Sequence, residues 1–402
     1  MSLRFILNIE LVDRPDFHRV YARGKYRPLG SCLRRNISAA SRPRRVVQAV
    51  LDPMKFESGI SVNHGSTHGS FDNFLSEVPL FADLDPSALS AVQLVARPFQ
   101  VDAGTTLFKQ GEPSDGLYLI KHGEVEILRR VPGDEAVRLA VLRRSAIVGE
   151  MSSLDHNPRS THAVATLPTS GYFISYERFQ ILQSDFSVPA FAVMNCFRRE
   201  VAIRARTAID RIAACVAGAQ PPPAASARRG AAKWPVPGSP STIDERVLQS
   251  LPFFRTFRLA ELREFIGPMK RFDFTRGELF YAKGEAAQSC LVIVRGALSM
   301  SFPAATGGVM FSVRGPGQMM GELALLDRGP QPLDCIAREP TIAFELDRSQ
   351  FELLRKGGSV VALRFFEAVN SGIVTTLRKA NAHLARLAAE HPSAGRQLRS
   401  SL

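Results

Sequence analysis

The hydrophobic and polar positions of this chain follow a short pattern that occurs twice. In the first copy, apolar residues recur at helical spacing from Leu89 to Val95 directly after Asp85-Pro86. This predicts a short helix with an N-cap aspartate and a proline in its first turn. The stretch GLYLIKHGEVEIL then alternates around Gly123 as strands do, and VRLAVL is predicted to be a further strand. Long helical patterns follow. CLVIVRGALSM and VMFSV are the counterparts of these strands in the second copy.

The two copies keep a nearly constant register. Pro79 and Pro252 each begin a short apolar triplet, and they lie 173 positions apart. The spacing of the repeated glycines is 173 positions at first and 172 at the last of them. The repeated pairs are Gly104/Gly277, Gly111/Gly284, Gly123/Gly296 and Gly149/Gly321. Many short strands with glycines at the corners predict an antiparallel roll.

The sequence therefore predicts an α+β protein with two antiparallel β-roll (jelly-roll-like) domains, each flanked by helices. A proline- and alanine-rich stretch between the copies is typical of a semi-rigid linker. The predicted parts are a basic leader (1–70), domain one (71–217), the linker (218–246), domain two (247–390) and a tail (391–402).

Composition limits the classes of protein that remain. The 402 residues contain no run of about 20 apolar residues, so no transmembrane segment is predicted and we expect a cytoplasmic protein. The five cysteines never form a CxxC pair, which argues against a disulfide framework or a structural zinc site. The net charge of +13 is concentrated in the leader, where residues 17–51 carry nine Lys/Arg and no acid. Contact with nucleic acid is thus possible but not favoured.

The stretch GEMSSLDHNPRS (149–160) carries the chemistry of an anion site. Gly149 permits a tight turn or a close approach of a ligand, and the helical turn after it has N–H groups without internal partners. Arg159 can bring a bidentate guanidinium to the same anion, and Ser160 can add a hydroxyl donor. An ionised Glu150 can only accept hydrogen bonds, so it favours a hydroxyl group. The set suits a phosphate that lies next to a ribose.

Both copies resemble the cyclic nucleotide-binding domain of catabolite-activator-type regulators, protein kinase A regulatory subunits and cyclic nucleotide-gated channels. DAGTTLFKQGEPSDGLYLIKHGEVEIL resembles the β-roll signature, and VGEMSSLDHNPRSTHAVA resembles the phosphate-binding cassette. The resemblance implies that Glu150 holds the ribose 2′-hydroxyl, that Arg159 pairs with the cyclic phosphate, and that Thr207 is a candidate contact to the base. It also implies cAMP or cGMP as the ligand and no cofactor or metal, and Ser160 favours cAMP. The predicted ligand-binding residues are Gly149, Glu150, Met151, Ser152, Arg159, Ser160 and Thr161.

The second cassette, GELALLDRGPQP (321–332), is predicted to be degenerate. It keeps Gly321 and Glu322, followed by Leu323, but Gln331 stands where the first copy has Arg159. Loss of a hydrogen bond to a charged group should weaken binding by about 10-fold to about 150-fold. Arg328 could act as a substitute, although its spacing does not favour this.

The sequence is compatible with more than one biological role for ligand binding. No nucleophile elbow, P-loop or HExxH motif is present, which argues against an enzyme. We expect a regulatory protein that relays ligand binding through its lid helices to an unknown protein partner. The alternatives are a transcriptional regulator of the Crp/Fnr type without a standard helix-turn-helix, for which too few residues follow the last helix, and a kinase regulatory-subunit-like protein. The apolar stripe from Phe366 to Leu387 is either a homodimer seam or a lid packed on its own roll.

Overall fold

The computed structural model describes residues 74–131, 136–185, 187–216, 243–303 and 309–390. The predicted leader with its basic segment, residues 217–242 of the linker region and the tail lie outside the described residues. Helix α6 begins at Glu245, two residues before the predicted start of domain two.

The predicted first helix is present in domain one. Asp85 accepts a hydrogen bond from the backbone N–H of Ala88 at 2.8 Å, and Pro86 opens the helix. Val92 and Val95 are buried and Leu89 packs against the core, as the spacing predicts. The elements of domain one are α1 (Phe74–Glu77), a 3-10 turn (Pro79–Phe81), α2 (Pro86–Val95), β1 (Arg97–Val101), β2 (Thr106–Phe108), β3 (Gly116–His122), β4 (Val125–Arg130), β5 (Ala136–Leu142), β6 (Ile147–Val148), α3 (Glu150–Asp155), β7 (His162–Ala165), β8 (Thr169–Ser175), α4 (Tyr176–Ser184) and α5 (Val188–Val216).

Domain two repeats this order of elements. They are α6 (Glu245–Ser250), α7 (Leu259–Ile266), β9 (Lys270–Phe274), β10 (Leu279–Tyr281), β11 (Ser289–Arg295), β12 (Leu298–Phe302), β13 (Val309–Arg314), β14 (Met319–Met320), α8 (Glu322–Leu326), β15 (Asp334–Ala337), β16 (Thr341–Asp347), α9 (Arg348–Arg355) and α10 (Val360–Glu390).

Each roll is formed by two four-stranded antiparallel sheets. The strand orders are β1-β8-β3-β6 and β2-β7-β4-β5 in domain one, and β9-β16-β11-β14 and β10-β15-β12-β13 in domain two. The register is also repeated: Val125 pairs with Leu142 in the first roll, and Leu298 pairs with Arg314 in the second. The predicted α+β class with two antiparallel β-rolls is confirmed.

The two domains meet along their long helices, α5 and α10. At the crossing, the buried Arg198 donates from Nε to Oδ1 of Asn370 at 2.9 Å, and these two residues are 172 positions apart. The side chain of Arg198 also lies over the ring of Phe366, 4.5 Å from its centroid. The apolar stripe of α10 is buried from Phe366 to Leu384 within this one chain, mainly against α5 and the cassette of domain one. Neither arrangement expected from the stripe included this packing across the domains.

Helix α10 is long and apolar enough, by length and composition alone, to cross a membrane, although it contains no unbroken run of about 20 apolar residues. However, 61% of its most apolar window is buried inside the fold. This burial is what the core helix of a folded domain shows.

Candidate functional site

The first cassette begins with a glycine that the local geometry requires. Gly149 has a φ of 92°, in the left-handed region that side chains disfavour, and it directly precedes α3. A Cβ atom added here would lie 2.5 Å from Nη1 of Arg159. The glycine therefore permits both the turn into α3 and the close approach of the arginine.

Arg159 is held in place from several directions. Its side chain is only 1% exposed. Nη1 donates to the carbonyl of Gly149 at 2.7 Å, and Nη2 donates to Oδ1 of Asp115 and to the carbonyl of Gly116, both at 2.5 Å. The guanidinium also lies over the ring of Phe108, 4.0 Å from its centroid. Nε is buried and has no hydrogen-bond partner within the described part of the chain, so one donor of this positioned cation is unused.

Glu150 is buried and already paired. Its Oε1 accepts a hydrogen bond at 3.0 Å from Nη1 of Arg204, which comes from α5. Arg204 also donates to Glu200 at 2.8 Å and to the carbonyl of Ile147 at 2.7 Å. Burial alone would lower the pKa of Arg204, but the carboxylates of Glu150 and Glu200 raise it above its ordinary value. A charged Arg204 thus pairs with one oxygen of the carboxylate that the sequence assigns to a ligand hydroxyl.

A cavity of about 180 Å³ lies between the cassette, the roll and the two long helices. All of the ligand-binding residues predicted from the sequence line it: Gly149, Glu150, Met151, Ser152, Arg159, Ser160 and Thr161. The volume is below the roughly 300–1,000 Å³ usual for small-molecule pockets. A ligand in this cavity would contact the cassette and both long helices.

Part of the wall comes from domain two. Leu377, Asn381 and Leu384 of α10 line the same cavity as the first cassette. The amide of Asn381 makes no hydrogen bond to any described residue, so it can both donate and accept toward the cavity. Thr207 of α5 lines the cavity as well, while its hydroxyl donates to the carbonyl of Ile203 at 3.0 Å. The site of domain one is consequently built by both domains.

Each long helix also makes an ion pair with the cassette of the opposite domain. Arg378 of α10 donates from Nε and Nη2 to the carboxylate of Asp155 at 2.8 and 3.0 Å. Arg206 of α5 donates in the same bidentate way to Asp327, with Nη2 2.8 Å from Oδ1. The side chains of both aspartates are 2% exposed. Arg206 and Arg378 are 172 positions apart, and so are Asp155 and Asp327. Equivalent residues of the two copies therefore make the two ion pairs, each from the helix of one domain to the cassette of the other.

The second cassette has the same backbone conformation at its glycine as the first, but different side chains beside it. Gly321 also has a φ of 92°, and Glu322, Leu323 and Gln331 are all buried beside it. Gln331 takes the place of Arg159, since its backbone bonds to Gly284 and Glu285 match those of Arg159 to Gly111 and Glu112. Its Oε1 is buried without a hydrogen-bond partner among the described residues.

Arg328, the possible substitute cation in domain two, is exposed. The cation nearest to Glu322 in the described structure is instead Arg314 of β13, 3.8 Å away.

The sequence patterns do not identify the site residues that lie outside the two cassettes. Asp115 lies within the quoted roll signature without an assigned role, and the sequence assigns none to Arg204, Asn381 or Arg314. The repeat did carry a usable signal for the helix contacts, because Arg206 and Arg378 recur in register. That signal does not show which acidic residue each arginine meets.

Comparison with known proteins supports the assignment of both domains. Residues 98–185 and 271–356 each match the family described as the cyclic nucleotide-binding domain. The CRP-like cAMP-activated global transcriptional regulator of Mycobacterium tuberculosis is 36% identical over 92 residues, which are 23% of this chain and 41% of that protein. A cAMP-dependent protein kinase regulatory subunit of Aspergillus fumigatus is 32% identical over 95 residues, 24% of this chain and 22% of that protein. The matches thus span less than half the length of these two relatives.

Among solved structures, the regulatory domain of Toxoplasma gondii PKA with cAMP is similar over 70% of this chain and 89% of that one, with 19% identity and a TM-score of 0.25. The sensor domain of the transcriptional regulator DNR from Pseudomonas aeruginosa is similar over 28% of this chain and 76% of that one, with 25% identity and a TM-score of 0.26.

Proposed function

Because the chain contains two cyclic nucleotide-binding domains, we propose that it is a regulatory protein, not an enzyme, that senses a cyclic nucleotide through domain one. The ligand would occupy the cavity at Gly149–Thr161 and change the contacts of α5 and α10. These helices would relay the signal to a protein partner in the cytoplasm.

The observation that carries the proposal is the state of Arg159. A guanidinium held by Asp115 and two carbonyl groups lines the cavity together with every other predicted ligand-binding residue. A cyclic phosphate there would accept a charge-assisted hydrogen bond from an arginine that is already oriented. Pre-orientation reduces the cost of ordering the side chain on binding.

Glu150 suggests how binding would be transmitted. A ribose hydroxyl that donates to Glu150 would compete with Arg204, the present partner of that carboxylate at 3.0 Å. Release of Arg204 would change the contacts of α5 with the cassette, and α5 packs along α10. A ligand that binds better to the arrangement in which Arg204 is released than to the one in which Arg204 pairs with Glu150 can shift the equilibrium between the two.

Asn381 supports cAMP over cGMP. A side-chain amide can donate to and accept from an adenine edge at the same time, whereas arginine or lysine is the usual partner of the guanine O6/N7 edge. Asn381 lines the cavity with an amide that no described residue engages. Ser160, after the cassette arginine, points to the same choice through the family resemblance.

Isothermal titration calorimetry of the full chain tests the proposal. We expect one cAMP per chain, weaker binding of cGMP and no comparable binding of the acyclic control 5′-AMP. Only domain one has the arginine, so a stoichiometry of two tight sites would contradict the assignment of the working cassette. The absence of both heat and a thermal shift with either cyclic nucleotide would refute the function.

Regulation of transcription is the second candidate, because one relative is a cAMP-activated transcriptional regulator. The basic segment 17–51 would then contact DNA. Filter binding of duplex DNA at two salt concentrations tests this, since phosphate contacts produce a steep salt dependence. Equal binding by a chain that begins at Met54 would show that the segment is not the contact.

A further inference from the structure

The second cassette contains an internal cation where the first has its cavity. Arg314 is 3% exposed at the end of β13. Its Nη2 donates to Oγ1 of Thr376 at 2.5 Å and to the carbonyl of Gly372 at 3.2 Å, both on α10. The same nitrogen lies 3.8 Å from Oε1 of the buried Glu322. One guanidinium thus connects strand, cassette and long helix.

The repeat identifies what changed between the domains. Arg314 corresponds to Leu142, because each pairs with the equivalent residue of the neighbouring strand, and Leu142 lines the cavity of domain one. Thr376 lies 172 positions after Arg204, the helix residue that pairs with Glu150. In domain two the cation that faces the cassette glutamate therefore comes from the roll, and the helix supplies a hydroxyl acceptor.

The helix also approaches the second cassette closely. A Cβ atom added to Gly372 would lie 3.1 Å from Oε1 of Glu322. This contact brings the backbone of α10 against the carboxylate. Arg314 lies beside the same glycine, so the carboxylate of Glu322 is buried next to both the helix backbone and a cation of its own chain.

We propose that Arg314 is an internal substitute for a ligand in the second cassette, and that it holds α10 closed on domain two independently of any nucleotide. Leu377 and Asn381, one and five residues after Thr376 on α10, line the cavity of domain one. Arg314 is thus a positioning residue for a site that it does not touch. This last step rests on the proposed function, because it concerns the affinity of domain one for its ligand.

The same arrangement explains why one substitution does not restore the second site. Gln331→Arg alone would bury a second guanidinium in a cassette whose glutamate already faces Arg314, and a buried charge is destabilising unless it is paired. Arg314→Leu together with Gln331→Arg gives domain two the residues that domain one has at both positions. We expect a second, weak cAMP site in the double variant and none in Gln331→Arg alone.

Hydrogen–deuterium exchange of the ligand-free full chain tests the positioning role directly. Loss of hydrogen bonds from a charged donor should accelerate amide exchange of residues 372–384 by about 10-fold or more in Arg314→Leu. Arg314→Lys, which keeps a cation, should show a smaller change. Arg295→Leu removes an exposed arginine from the same roll and serves as the matched control, with no change expected. Thr376→Val removes the hydroxyl that accepts from Arg314 and donates to the carbonyl of Gly372, and it replaces Arg314→Leu in the test if that variant does not fold.

Calorimetry of the same variants tests the connection to domain one. We expect cAMP affinity to fall several-fold in Arg314→Leu and Thr376→Val and to be partly retained in Arg314→Lys. Unchanged exchange in Arg314→Leu would overturn the positioning role. Faster exchange with unchanged cAMP affinity would overturn the link to the first site. If the unmodified chain binds no cyclic nucleotide, the proposed function fails, while the exchange experiment still decides the role of Arg314.

Discussion

Arg159→Gln tests the role of the arginine in ligand recognition, because domain two shows that the same fold accommodates a glutamine at this position. The substitution removes the charged donor and places in domain one the residue that domain two has at this position, Gln331. Gln331 makes the same backbone hydrogen bonds as Arg159 and is buried within a folded roll, so this position accommodates a glutamine. The expected loss of one charge-assisted hydrogen bond to phosphate is ~1.5–3 kcal/mol, which corresponds to about 10-fold to about 150-fold weaker cAMP binding.

The stability of the ligand-free protein should fall as well. Arg159 satisfies the carbonyl groups of Gly149 and Gly116 and the carboxylate of Asp115, and a glutamine is too short and has too few donors to replace all three contacts. We expect a loss of ~1–3 kcal/mol in the free energy of unfolding, which a domain of ordinary stability tolerates.

Calorimetry with cAMP and urea unfolding without it measure the two effects of Arg159→Gln separately. Arg159→Lys should have a cAMP affinity and a free energy of unfolding between those of the unmodified chain and Arg159→Gln. Lysine keeps the charge but cannot make the bidentate contacts of a guanidinium. Arg130→Gln, at an exposed position of β4, is the control and should change neither quantity. Binding by Arg159→Gln within threefold of the unmodified chain, still at one ligand per chain, would refute the role assigned to Arg159.

Three further changes test the surroundings of the site. Glu150→Ala should weaken cAMP binding by less than Arg159→Gln, about 10-fold, because it removes one hydroxyl-to-carboxylate hydrogen bond; a larger loss in calorimetry would contradict this order. Asn381→Leu should reduce the preference for cAMP over cGMP by several-fold in competition binding, and an unchanged ratio would show that domain two does not read the base. Arg378→Ala and Asp155→Ala should each lower the free energy of unfolding by ~1–3 kcal/mol, less than a fully buried pair because the arginine is partly exposed. Urea unfolding of the double variant should show a coupling energy of at least about 0.5 kcal/mol, whereas additive losses would mean that the ion pair does not link the domains.

The sequence predicted the local parts of the structure well. The N-cap at Asp85, the strands on either side of Gly123 and the short helix after Gly149 all lie where the pattern places them. Each depends on neighbouring residues: a capping side chain, alternation over a few positions, or a backbone angle that favours glycine. The predicted ligand-binding residues are likewise close in sequence, and one turn and one short helix bring them to one cavity.

The sequence by itself also determined that the two cassettes differ, because a missing arginine at Gln331 is visible without any structure. Only the tertiary structure decided which distant residues complete each cassette. Arg314 is separated from Thr376 by 62 positions, and Asn381 from Arg159 by 222, so no local pattern relates them. Arg314 meets Thr376 because α10 packs on its own roll, whereas Asn381 reaches the cavity of Arg159 because α10 also packs across the domains against α5. Both packings are the sum of many small apolar contacts. A repeat shows that two helices are equivalent, but the packing of one against the other decides which cassette each of them completes.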